Sequence, residues 1–283
     1  MRFQVILIFL KTAYYGFCLI GKNEKDRNVV KQNWGKMVLK TLGFSLDIQG
    51  NPPPEGSYIL VGNHISYLDI PVLMSALPEV TFISKDDLKK WPIIGACASA
   101  AGTIFVDRKS GRNGRLVKNQ IIEVLKDKNR KIAVFPAGTT SLYEQFPWKK
   151  GIFKMAQHAE IPVQLFRIDY KPLRDSAYID DDNLLVSISK LSKIKKKSVV
   201  LKWMGDFKKI DDPAEFSNLL QQKVIAPLLS LVFVFLLFSG CTNPAKSISN
   251  DILKFKQDHP EQILTYQSKN RTMNYAWSGD PTQ

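Results

Sequence analysis

The chain has 283 residues, room for one substantial domain with terminal attachments, since domains run to roughly 100–200 residues. Hydrophobic residues at 45% exclude a disordered chain, and long apolar runs in only two places exclude a polytopic channel. A formal net charge of +14 attracts polyanions, either nucleic acid or the anionic face of a bilayer. The apolar runs select the bilayer, because charge and hydrophobic insertion together hold a protein there better than either alone.

Residues 3–20 are apolar apart from a few positions, with Lys11 near the centre and Lys22, Lys25 and Arg27 behind. A lysine in mid-span costs about 2.5–3.5 kcal/mol on insertion, so residues 1–24 are expected to lie in the interface as a membrane-surface helix. The basic flank is expected on the cytosolic side, which puts the domain behind it at the cytoplasmic face of the inner membrane. Cys18 and Cys97 stand in apolar surroundings without partner spacing, so neither a disulfide framework nor a zinc site is expected.

Residues 25–222 alternate between helix-like and strand-like stretches, which predicts an α/β fold: a mixed sheet flanked by helices. Val29 to Leu42 has helical spacing, and Asn51-Pro52-Pro53-Pro54 breaks the chain before a buried-strand run, Tyr58 to Val61. Further strands are expected at Val80 to Ile83, Thr103 to Val106, Ile132 to Phe135, Pro162 to Phe166, Leu184 to Ile188 and Val199 to Trp203, with a helix over Leu116 to Leu125. Lys193, Lys195, Lys196 and Lys197 then form a solvated turn or a contact for anionic head groups. Glu215 to Gln222 reads as a closing helix, and residues 223–240 as an apolar helix or a lipoprotein-signal-like segment ending at Cys241. A polar tail over 241–283 is expected to be poorly ordered.

Three strand ends carry chemistry-bearing residues. After Val61 comes Asn63-His64-Ile65-Ser66-Tyr67-Leu68-Asp69. Ser66 followed by Asp69 is a capping-box-like pattern that needs no catalysis. The chemical alternative pairs the Asp69 carboxylate with one imidazole nitrogen of His64, which fixes the tautomer and frees the other nitrogen as a base. Asp107-Arg108 ends another strand, where an arginine fork can grip phosphate. Phe135-Pro136-Ala137-Gly138-Thr139-Thr140-Ser141 ends a third, with Gly138 permitting close backbone approach and the hydroxyls offering polar contacts.

In this order the segments resemble the glycerophospholipid acyltransferase family, over roughly residues 30–217. His64 through Asp69 matches its first block, Val106-Asp107-Arg108 the second, Phe135-Pro136 with Gly138-Thr139 the third, and Ile161-Pro162-Val163 the fourth. The resemblance implies that His64 activates an acceptor hydroxyl, Asp69 orients His64, and Arg108 binds the acceptor phosphate. Gly138, Thr139 and Thr140 would line the acceptor site, with Lys85 a secondary match. The implied donor is an acyl thioester on coenzyme A or acyl carrier protein, the acceptor a lysophospholipid, most of all 1-acyl-sn-glycerol-3-phosphate, and no metal is implied. Backbone amides near Gly138 are candidate donors to the oxyanion.

The family's third block usually has Glu before the glycine and often Arg after the threonine, whereas Ala137 and Thr140 stand there. Either the acceptor differs, or the chain is a lipid-binding pseudoenzyme; retention of His64 and Asp69 favours the enzyme. A nucleic-acid-binding module is the remaining class, and it lacks both a recognisable motif and a use for the apolar N-terminus.

Overall fold

The computed structural model describes residues 2–106, 119, 121–125, 130–142, 144, 146–179, 182–208 and 210–238, apart from the side chains of residues 2, 3, 85 and 226–238. Chain contacts divide it into a unit of residues 1–226 and a second of residues 227–283. In the first unit, helices α1 (Arg2–Cys18) and α2 (Glu24–Leu42) precede strands β1 (Phe44–Gln49) and β2 (Tyr58–Gly62). Helix α3 (Asp69–Ala76), strand β3 (Val80–Lys85), helix α4 (Pro92–Ala100) and strands β4 (Ile104–Val106) and β5 (Lys131–Val134) come next. Strands β6 (Val163–Lys171) and β7 (Lys197–Phe207) complete a seven-stranded sheet of order β1-β7-β6-β2-β5-β3-β4. Strands β6, β2, β5, β3 and β4 are mutually parallel; β7 runs antiparallel to β6 and parallel to β1. The mixed α/β sheet expected from the sequence is therefore present.

Local chemistry sets the element ends. The Asn23 side chain accepts the Asp26 N–H at 2.9 Å to start α2, and Gly43, at φ 76°, turns the chain straight into β1. Strand β2 is buried along its whole length, so it reads as a continuous apolar run and not as an alternation. Its Tyr58 and Leu60 join one core with α2, α3, Phe166 and Ile168, while Ile59 and Val61 join another with Ile132, Phe153, Val163 and Leu165. Each such side chain contributes about 1.5–3 kcal/mol on burial, so the central strands are the stiffest part of the fold. Gly62 lets β2 press against β6, because a Cβ there would sit 2.4 Å from the Phe166 ring.

Helix α1 packs on α4 and α2. A Cβ on Gly16 would lie 2.3 Å from Cys97 Sγ, and the Trp34 indole donates to Thr12 Oγ1 at 3.1 Å. Ile8, Gly16 and Leu19 face inward and are buried, while Ile6, Leu10, Tyr14 and Phe17 form an exposed stripe at helical spacing, Phe17 being 73% exposed. The helix thus has two apolar sides. Among the described residues no helix is long and apolar enough to cross a membrane.

Two expectations are corrected. Leu184–Leu191 is a helix, not a strand: Asn183 accepts the Leu185 and Val186 N–H groups, and burial falls on Ser187, Ile188 and Leu191 at helical spacing. Its β-branched residues misled the reading because they also suit strands. Lys197 is no part of a solvated turn; it is buried at the start of β7 and donates to the Leu191 carbonyl at 2.9 Å and to that of Ile194. Lys193, Lys195 and Lys196 are exposed as expected. Of the helix expected over Leu116 to Leu125, residues 121–125 are helical and Leu116 lies outside the described residues. The closing helix runs Pro213–Phe238, and residues 239–283 with Cys241 lie outside the description.

Candidate active site

The carboxyl ends of β2, β5, β3 and β4 open on one edge of the sheet, where open α/β folds place their sites. Strand β2 delivers the His64 loop there. The Asn63 amide fastens that loop to β6, donating to the Ile168 carbonyl and accepting its N–H, both at 2.8 Å. Asp69 is fully buried, and its carboxylate receives four hydrogen bonds. Oδ2 accepts from His64 Nδ1 at 2.7 Å and from the Ile65 and Ser66 N–H groups at 2.8 and 3.1 Å; Oδ1 accepts the Tyr170 hydroxyl at 2.7 Å. A buried charge is tolerable only when its lone pairs are satisfied in this way. With Nδ1–H donated to the carboxylate, Nε2 carries the free lone pair, and the side chain keeps 21% of its surface exposed.

The capping-box reading is overturned. Helix α3 begins at Asp69 itself, and the buried Ser66 hydroxyl makes no hydrogen bond among the described residues, as is true of Ser141. The carboxylate gathers the loop's amides instead of a serine capping the helix. Tyr170 stays a donor, since burial, followed by the neighbouring Asp69 charge, pushes its phenol well above the ordinary range.

The third block closes over the first. Phe135 stacks on the His64 ring, 3.9 Å between centroids and 10° between planes. The Ser141 N–H donates to the His64 carbonyl at 2.8 Å, and the His64 N–H donates to Glu144 Oε2 at 3.1 Å. Glu144 Oε1 accepts the Trp148 indole N–H at 2.7 Å. Burial lifts Glu144 from 4.5 to about 7, against the pull of those two N–H groups and with the Asp69 charge adding to the rise.

Of the other expected site residues, Gly138 adopts φ 78° and its N–H is turned to the Phe135 carbonyl at 3.0 Å, so that amide is engaged in the turn and is not aimed at an oxyanion. Thr139 is exposed and Thr140 half-buried beside it, with Ala137 buried in the apolar cluster that holds Trp148. Lys85 ends β3 opposite Val106, the last residue of β4, at the same sheet edge; Arg108 lies outside the described residues. The fourth block sits at the opposite end, where the Pro162 carbonyl accepts the Ile59 N–H, and contributes sheet and not chemistry. No group of His, Cys, Asp and Glu able to hold a metal ion gathers among the described residues. A recess of about 850 Å³, lined among others by Lys36, Lys40, Lys171, Lys195 and Lys196, opens at the β1–β7 edge, and none of its lining residues belongs to the His64 group.

Tyr170 and Glu144 were not legible as site residues. The strand expected at Pro162 to Phe166 stops four residues short of Tyr170, which β6 in fact carries to the same edge.

The geometry defines a class of arrangement: a histidine held through Nδ1 by a buried aspartate at a sheet edge. The acyltransferase family profile matches residues 45–168. A lyso-ornithine lipid O-acyltransferase of Pseudomonas aeruginosa is 32% identical over 68% of this chain and 75% of its own length. A 1-acyl-sn-glycerol-3-phosphate acyltransferase of Neisseria gonorrhoeae is 33% identical over 52% of this chain and 57% of its own. The crystal structure of the 1-acyl-sn-glycerophosphate acyltransferase of Thermotoga maritima shares the fold, with TM-score 0.60 at 22% identity over 81% of this chain and 97% of that one. The chain belongs to the glycerophospholipid acyltransferase family, and its class is O-acyltransferase.

Proposed function

We propose that the protein moves a fatty acyl group from an acyl thioester, on coenzyme A or acyl carrier protein, to the free hydroxyl of a lysophospholipid at a membrane surface. The observation that carries this is the His64 ring, tied at Nδ1 to Asp69, which leaves the lone pair on Nε2. Nε2 takes the hydroxyl proton as the alcohol oxygen attacks the thioester carbonyl. The tetrahedral intermediate then expels the thiolate, which receives the proton from the imidazolium. Asp69 offsets the positive charge that appears on His64 between those two transfers.

The acceptor supported by most of the similar enzymes is 1-acyl-sn-glycerol-3-phosphate. Ala137 favours a second reading, a different lysolipid acceptor, and the Pseudomonas relative is by its description a lyso-ornithine lipid O-acyltransferase. A membrane-surface location is supported by the outer stripe of α1 and by the exposed lysines around the β1–β7 recess, one suited to insertion and the other to anionic head groups; the cytoplasmic face is part of the proposal. Incubation with an acyl-CoA and a panel of lysolipids, with ester formation as the readout, tests the reading. Product from 1-acyl-sn-glycerol-3-phosphate selects the first acceptor and product from lyso-ornithine lipid the second. Turnover by His64→Ala equal to that of the parent chain removes the mechanism.

A further inference from the structure

Glu144 is 3% exposed and stands at φ 53°, a left-handed conformation that a side-chain-bearing residue adopts only when its surroundings impose it. What imposes it is visible on both sides. The Gln221 amide donates to the Glu144 carbonyl at 2.9 Å from the closing helix, and the carboxylate is aimed the other way, one oxygen on the His64 N–H and one on the Trp148 indole. The third block lost its expected carboxylate at Ala137, and the same segment brings another to the His64 loop from Glu144.

We infer that Glu144 is a positioning residue for His64: its carboxylate pins the main chain of the base from the side opposite Asp69, and so sets where Nε2 points. This rests on the reading of His64 as the base. Asp69 fixes the ring through Nδ1, but a ring can be held and still swing with its main chain. Glu144 at the His64 N–H, together with Ser141 at the His64 carbonyl, removes that freedom. Both N–H partners demand an acceptor, so the ionised carboxylate satisfies both, whereas protonation converts one oxygen into a donor facing an N–H. The groups that face Glu144 are Asp69 from the start of α3, His64, Trp148 and the neutral Gln221; Asp69 and His64 are the titratable ones.

The test uses the full-length chain and four proteins: the parent, Glu144→Gln, Glu144→Gly and His64→Ala. Rates are taken from pH 5 to 9 with an acyl-CoA and the lysolipid that the parent accepts, alongside thermal melting and hydrogen exchange at the His64 amide. Glu144→Gln keeps one acceptor and sets an amide N–H against a second donor. It is expected to lower kcat roughly tenfold with KM within about twofold, the pattern of a lost transition-state alignment. The parent's acid limb should include the Glu144 proton, and the variant's should lack it. Glu144→Gly relieves the left-handed backbone but strips the His64 and Trp148 N–H groups of their acceptor; with folding checked by the melting curve it should still lose kcat, and both variants should exchange the His64 amide at least about tenfold faster. A kcat within twofold of the parent with an unchanged acid limb overturns the inference while leaving the base intact. An active His64→Ala overturns the functional reading instead, and the exchange rate alone then decides whether Glu144 holds the loop.

Discussion

Tyr170 and Lys171 are consecutive on β6 and serve regions of opposite character. Tyr170 is buried and gives its hydroxyl to Asp69, whose carboxylate accepts four hydrogen bonds. Lys171 is exposed on the rim of a recess where Lys36, Lys40, Lys195 and Lys196 are exposed as well and Lys197 alone among the lining lysines is buried. The first region fixes its charges by hydrogen bonds away from water, so each interaction is strong and a single deletion is costly. The second leaves its charges solvated, where each is weak, screened by salt and replaceable. On the function proposed above, the difference separates chemistry, which needs geometry held to fractions of an ångström, from adhesion, which needs only summed charge.

The largest break in that contrast would come from His64→Ala, expected to lower turnover by about 10²–10⁴-fold, the usual worth of a general base, in a protein that still folds but melts lower for the loss of one donor to Asp69. Next is a pH effect on stability. Glu144 binds its proton more tightly folded, at about 7, than unfolded, near 4.5, so its contribution is full below the unfolded value and is lost as pH rises through 7. The loss is on the order of 3 kcal/mol, and Glu144→Gln should abolish it, giving a flatter stability profile from pH 5 to 8 in denaturant titrations. Tyr170→Phe leaves Asp69 Oδ1 without its donor and should cost roughly 1.5–3 kcal/mol of stability by the same method. Smallest is the pair Lys195→Gln and Lys196→Gln, expected to change stability by no more than about 0.5 kcal/mol. That pair should nevertheless weaken sedimentation with anionic vesicles at low salt, a difference that disappears at high salt. Should the lysine pair cost as much turnover as Tyr170→Phe, the two regions are one site.

The sequence carried the central strands and the His64–Asp69 pairing, because both are local: a buried apolar run, then two groups five positions apart. It missed β1, which starts directly after Gly43 with no loop to announce it and, as an edge strand, buries little beyond Phe44. Leu184–Leu191 was misassigned because branched apolar residues outweighed the Asn183 cap. The partners that complete the site, Glu144 and Tyr170, lie 80 and 101 positions from the residues they hold. No periodicity or spacing rule reaches that far; the sheet order brings them together.

Helix α1 has one further consequence, for how its sequence can change over generations. Its inner side is a fitted contact, since any side chain larger than hydrogen at Gly16 must displace Cys97. Its outer side, Ile6, Leu10, Tyr14 and Phe17, touches no such partner and asks only for apolarity. Drift should therefore run freely along one stripe and stall along the other, and two homologues could share little outer sequence while keeping the same docking.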